Sequence, residues 1–88
     1  MITKKRLHNI EELQKIQALA NRCKEPVALH SEDGNIIVDA KSFIGLFALD
    51  FTKPVLVVTE SMDYHKRIAR VGETLDFQPE YLKGEIYG

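Results

Sequence analysis

The sequence predicts an α+β domain of two layers, with helices on one face of a four-stranded sheet. Three observations predict it. Segments of helical and alternating periodicity follow one another in the order strand, helix, strand, strand, helix, strand, helix. The first and last helical segments carry one apolar stripe and the hairpin strands one apolar face, so the two layers cover each other. A chain of 88 residues supports one core, not two.

Residues 2–7 read as a first strand, and the run Lys4-Lys5-Arg6 suits an exposed one. Asn9 then caps a helix, with Glu12 three residues on, where a capping-box acid belongs. Ile10, Leu13, Ile16, Ala20 and Cys23 form its apolar stripe, with Leu19 beside them, and Pro26 blocks its continuation. Residues 27–31 and 35–40 are two strands around Asp33-Gly34, a pair that favours a type I′ hairpin turn. Ser42 caps a short helix over residues 43–49 that is apolar nearly all round, which marks it as buried or as a contact surface. Residues 55–60, opening Val-Leu-Val-Val, are continuous enough in apolarity for a central strand. Ser61 caps the last helix, where Tyr64, Ile68, Val71 and Leu75 are spaced as one stripe. The domain is expected to span residues 1–77, with residues 78–88 as a tail containing Pro79, Gly84 and Gly88.

Composition excludes several classes. A hydrophobic share of 44% argues against disorder along the whole chain. Twelve basic side chains against 13 acidic ones give no broad positive field, so nucleic-acid binding is not expected. Cys23 stands alone and cannot close a disulfide within the chain, which fits a reducing compartment. No apolar run approaches the roughly 20 residues that span a bilayer, so no membrane insertion is expected. The basic N-terminus has no apolar stretch behind it and does not read as a signal peptide. The expected location is the cytoplasm.

Residues 33–49, DGNIIVDAKSFIGLFAL, resemble the HPr phosphocarriers of the sugar phosphotransferase system. That family carries a tight hairpin turn, a strand, then Lys-Ser, two apolar residues, Gly and further apolar residues. The likeness is specific over residues 33–59 and topological over residues 2–26. It implies an HPr-like βαββαβα open-faced sandwich whose sheet is antiparallel, with the first strand beside the last. It also implies phosphotransferase-system proteins, or the HPr kinase, as partners.

The family's carrier chemistry uses a histidine at the start of the first helix, followed after one residue by arginine and proline. A helix N-terminus and a guanidinium there stabilise the phosphohistidine dianion. Here His8 is followed by Asn9-Ile10-Glu11-Glu12, with neither arginine nor proline, and the preceding stretch is too short for the family's active-site loop. Glu11 and Glu12 would repel the phosphoryl group. His8 is therefore a weak phosphoacceptor candidate, and an exposed junction histidine is the plainer reading. Ser42 matches the family's regulatory phosphorylation site, with Lys41 before it, although an N-cap alone would explain it. By the same resemblance Phe43, Ile44 and Phe47 are partner-binding candidates, with core packing as the alternative for each. Gly45 within this helix invites either a close neighbour or a partner's approach.

No other chemistry assembles. His8, His30 and His65 are scattered, and no His or Cys pair has ligand spacing, so no metal or cofactor is expected. No nucleophile–base set or glycine-rich phosphate loop is present. Lys66, Arg67 and Arg70 make a small basic helix face. The leading expectation is a non-enzymatic HPr-like docking or regulatory module that uses residues 42–49. An active carrier using His8, and an HPr fold serving an unrelated protein interaction, are the alternatives.

Overall fold

The computed structural model describes residues 1–79. In chain order the elements are β1 (Ile2–Arg6), α1 (Ile10–Asn21), β2 (Ala28–Ser31), β3 (Ile37–Asp39), α2 (Phe43–Leu46), β4 (Val55–Val58), α3 (Met62–Ile68) and β5 (Glu73–Gln78). The architecture is α+β: three helices and one antiparallel sheet of five strands, ordered β3-β2-β4-β1-β5.

The caps form as the sequence predicts. The Asn9 side chain accepts from the Glu12 backbone N–H, Ser42 from that of Gly45 and Ser61 from that of Tyr64. One face of the sheet packs against the helices. Leu29, Val55 and Val57 from the strands meet Leu13, Ile16 and Ala20 of α1, Leu46 of α2, and Tyr64 and Ile68 of α3 in a single core. The central place of β4 follows from its unbroken apolar run.

The expected four strands are five. The last helix stops at Ile68, and the segment read as its second half is β5. Gly72 explains the break, because it takes φ +66° and a helix cannot continue through that conformation. A Cβ at residue 72 would also lie 2.8 Å from the Arg6 carbonyl oxygen and from Leu7 Cδ2. Val71 does reach the core, but Leu75 sits on β5, 39% exposed, where the register with β1 shifts between Lys4 and Lys5. The expected tail, residues 78–88, lies outside the described residues except for Gln78, which closes β5, and Pro79.

Three further expectations are corrected. β1 is an interior strand, and Lys5, one of the cations taken to mark exposure, has no exposed surface. Its ammonium is accommodated by the Ile68 carbonyl and the Thr74 hydroxyl. The hairpin turn is not type I′, which needs two residues at positive φ; only Gly34 has it. Instead Ser31 and Ile36 close a longer loop, pinned by the Asp33 carboxylate on the Ser31 hydroxyl and the Asn35 backbone N–H. Those hydrogen bonds hold the Asp33 carboxyl below its ordinary pKa. Ile10 does not join the buried stripe of α1 and is 47% exposed.

Candidate docking face

β1 delivers Arg6 to the edge of the helical layer, and the chain turns through Leu7 into the first turn of α1. Opposite stand Phe47, just past α2, and Phe51 and Thr52 in the turn before β4. Between these walls is an open hollow of about 530 Å³ that also takes in His8, Ile10 and Leu13. Two of its apolar side chains face solvent, Phe47 at 59% and Ile10 at 47% exposure, and Ile44 of α2, outside the hollow, is 84% exposed. Uncovered aliphatic and aromatic groups clustered on one face mark a contact surface more than scattered ones do.

The residues singled out in the sequence divide here. His8 and Phe47 share the hollow, while Ser42 and Ile44 lie outside its lining. Phe43 turns inward and packs on the core, its ring edge-on to Phe47 at 5.0 Å. α2 is one turn long; beyond Leu46 the chain tightens, with Phe47, Ala48 and Leu49 each bonding three residues back. A Cβ on Gly45 would meet Ser42 Oγ at 3.4 Å, an ordinary contact. Nothing in the packing of the described residues therefore demands a glycine there.

Ser42 is exposed, and its Oγ accepts from the Gly45 backbone N–H at 3.3 Å. The Lys41 carbonyl before it accepts from the Gln17 side chain, which ties α2 to α1.

The surroundings of His8 are acidic. Glu12 Oε1 accepts from the His8 backbone N–H at 2.6 Å, and Glu73 Oε1 lies 3.7 Å from His8 Nε2. Glu73 escapes a sequence reading because β5 does. Arg6 is the cation that sequence reasoning missed: the family pattern seeks arginine after the histidine, and here one lies two residues before it on the same hollow. Its Nη1 reaches the Thr52 carbonyl at 3.5 Å.

No family profile, curated protein or solved structure matches the chain.

Among the described residues no cluster of His, Cys, Asp or Glu could hold a metal ion. None of the described helices is long and apolar enough to cross a membrane. His30 stands on the sheet face away from the helices, and partial burial lowers its pKa.

Proposed function

We propose that the chain is a non-catalytic docking module of the HPr type. It engages phosphotransferase-system proteins through Ile44 of α2 and through Phe47 and Ile10 at the hollow beside the start of α1. The observation that carries this reading is the exposure of Ile44 and Phe47 in the segment that resembles the family's docking helix. The antiparallel pairing of β1 with β4 supports the same resemblance. Phosphate transfer through His8 is disfavoured. Glu12 and Glu73 lie against that residue, where an arriving dianion would meet two carboxylates.

Ser42 is the regulatory phosphoacceptor in this reading. It is exposed, and the HPr kinase is the enzyme that would modify it.

The test uses the phosphotransferase system's first enzyme, with and without phosphoenolpyruvate. Backbone amide shifts of the labelled chain should move at residues 10, 44 and 47 on adding the enzyme, and Phe47→Asp should abolish the response. An acid-labile phosphate that His8→Ala removes would overturn the non-catalytic reading. No response at all would leave the fold serving some other interaction and sink the proposed partner class. Incubation with the HPr kinase and ATP should give an acid-stable phosphate that Ser42→Ala removes; an unmodified wild type would dismiss the regulatory serine.

A further inference from the structure

β3 ends the sheet on the side away from β5, and among the described residues no strand lies beyond it. An open strand edge invites another strand, and proteins commonly blunt such edges with lysine, proline or a bulge. The run Ile36-Ile37-Val38 has no lysine or proline, and the register of β3 with β2 is unbroken. Ile37 is 62% exposed and Ile36 39%.

The phase of the ladder fixes which backbone groups face outward. The Ser31 N–H donates to the Ile36 carbonyl and the Ala40 N–H to the Val27 carbonyl, each at 2.9 Å. Along an antiparallel strand, alternate residues bond to opposite sides. Ile36, Val38 and Ala40 therefore turn their backbone groups to β2, and Ile37 and Asp39 turn theirs to the open edge. The Asp39 carbonyl is already taken by the Ser42 N–H, and the Asn35 N–H by the Asp33 carboxylate. The Ile37 N–H and C=O, the Asp39 N–H and the Asn35 C=O are left for a new neighbour.

The residues around Ile37 complement their own reverse. A second, antiparallel β3 related by a two-fold axis through Ile37 sets Ile37 against Ile37, Ile36 against Val38 and Asn35 against Asp39. Beyond the strand ends the same register brings Asp33 of one copy opposite Lys41 of the other. Apolar residues thus meet apolar ones, polar meet polar, and the flanking charges are opposite in sign, the pairings that stabilise a strand pair. The backbone groups match as well. The two Ile37 residues exchange N–H and C=O, and each Asp39 N–H meets an Asn35 carbonyl. An axis through Val38 would instead set Ile37 against Asp39.

We propose that β3 is the interface of a homodimer, in which a second copy of this chain adds its own β3 antiparallel about Ile37. An open hollow of about 460 Å³ beside β3, lined in part by Pro26, Val38, Lys24 and Lys41, receives Ile36 and Asp33 of the second copy. A two-fold axis perpendicular to the sheet leaves both helical layers on one side of the joined sheet. Since α2 follows β3 directly in the chain, the exposed Ile44 and Phe47 of both copies face the same way. The dimer therefore offers that apolar face twice, and a partner with two sites gains by avidity. The contact spans one short strand per copy, less than permanent dimers bury, so it forms at high concentration. The inference does not depend on which proteins the apolar face engages.

Sedimentation equilibrium from about 10 μM to about 1 mM should show monomer passing into dimer. Once half the chains are paired, hydrogen exchange at Ile37 and Asp39 should slow about twofold, while Val38, already bonded to β2, should not change. Ile37→Lys, at an exposed edge position, should keep a folded amide spectrum and stay monomeric, because two ammonium groups would face each other. A second measurement fixes the register. In a Cys23→Ser background, Ile37→Cys should cross-link to itself under mild oxidation, because Cα atoms in such a pair lie about 5.5 Å apart, within disulfide reach. Asp39→Cys should not, since that residue is offset from its counterpart by about 13 Å. A chain still monomeric at about 1 mM would leave the edge to solvent or to a foreign strand and overturn the proposal. A dimer that Ile37→Lys leaves intact, protection gained at Val38 alone, or cross-linking through residue 39 in preference to residue 37 would overturn it too.

Discussion

The Lys5 ammonium, with no exposed surface, donates at 2.8 Å to the carbonyl of Ile68, the last residue of α3. A helix C-terminus presents unpaired carbonyls and partial negative charge, so the interaction is favourable. Burial nonetheless lowers the pKa of Lys5, against the opposing pull of Glu12. The folded value lies below the unfolded one. Wild-type stability should therefore rise as pH climbs toward the ordinary lysine pKa, because a charged Lys5 is disfavoured at neutral pH. Lys5→Met should lie within about 1 kcal/mol of wild type at pH 7. Urea denaturation at rising pH should then shift the comparison in favour of wild type.

Tyr64 is the largest fully buried side chain, and its hydroxyl donates to the Ile16 carbonyl at 2.7 Å. Burial raises its pKa far above the usual phenol range. Tyr64→Phe keeps the ring that joins α3 to α1 and loses only this bond. The expected cost is about 1 kcal/mol, read from the urea midpoint at unchanged slope.

The two glycines at positive φ should respond differently to alanine. Gly34→Ala meets nothing within 4 Å and incurs only the left-handed backbone penalty, about 1 kcal/mol. Gly72→Ala adds contacts of 2.8 Å to the Arg6 carbonyl and to Leu7. It should cost about 3 kcal/mol or more and loosen the entry to β5. Equal denaturation midpoints for the two variants would contradict this account.

Phe47→Asp should separate docking from folding. Phe47 is 59% exposed, and its aromatic contact within the described residues is the edge-on one with Phe43. Thermal denaturation should show a loss below about 1.5 kcal/mol, the worth of such a contact. Binding to the first enzyme of the phosphotransferase system should disappear in the same variant.

The glycine at residue 45 provides a related check. Its own chain leaves room for a methyl group, so Gly45→Ala should fold with unchanged or slightly higher stability. A loss of binding without a loss of stability would indicate a partner's close approach at that position.

Local chemistry made much of this protein legible in its sequence. Asn9, Ser42 and Ser61 cap their helices because a side-chain oxygen within three residues satisfies an open N–H. The apolar run of β4 pointed to a central place, which it has, although only Val55 and Val57 are buried and Leu56 and Val58 are half-buried on the opposite face. The exposed Ile44 and Phe47 lie in the segment whose all-round apolarity had left core and contact surface both open. Tertiary structure decided the rest. The spacing from Tyr64 to Leu75 fits one helix, and only the closeness of Gly72 to β1 turns its second half into a strand. Three adjacent cations suggest solvent, but Lys5 is buried because a helix end and a threonine distant in sequence meet its ammonium. Glu73 reaches His8 for the same reason. Capping and periodicity act over a few residues and are written in order, whereas a strand pairing unites groups more than sixty residues apart and is settled only when the core closes.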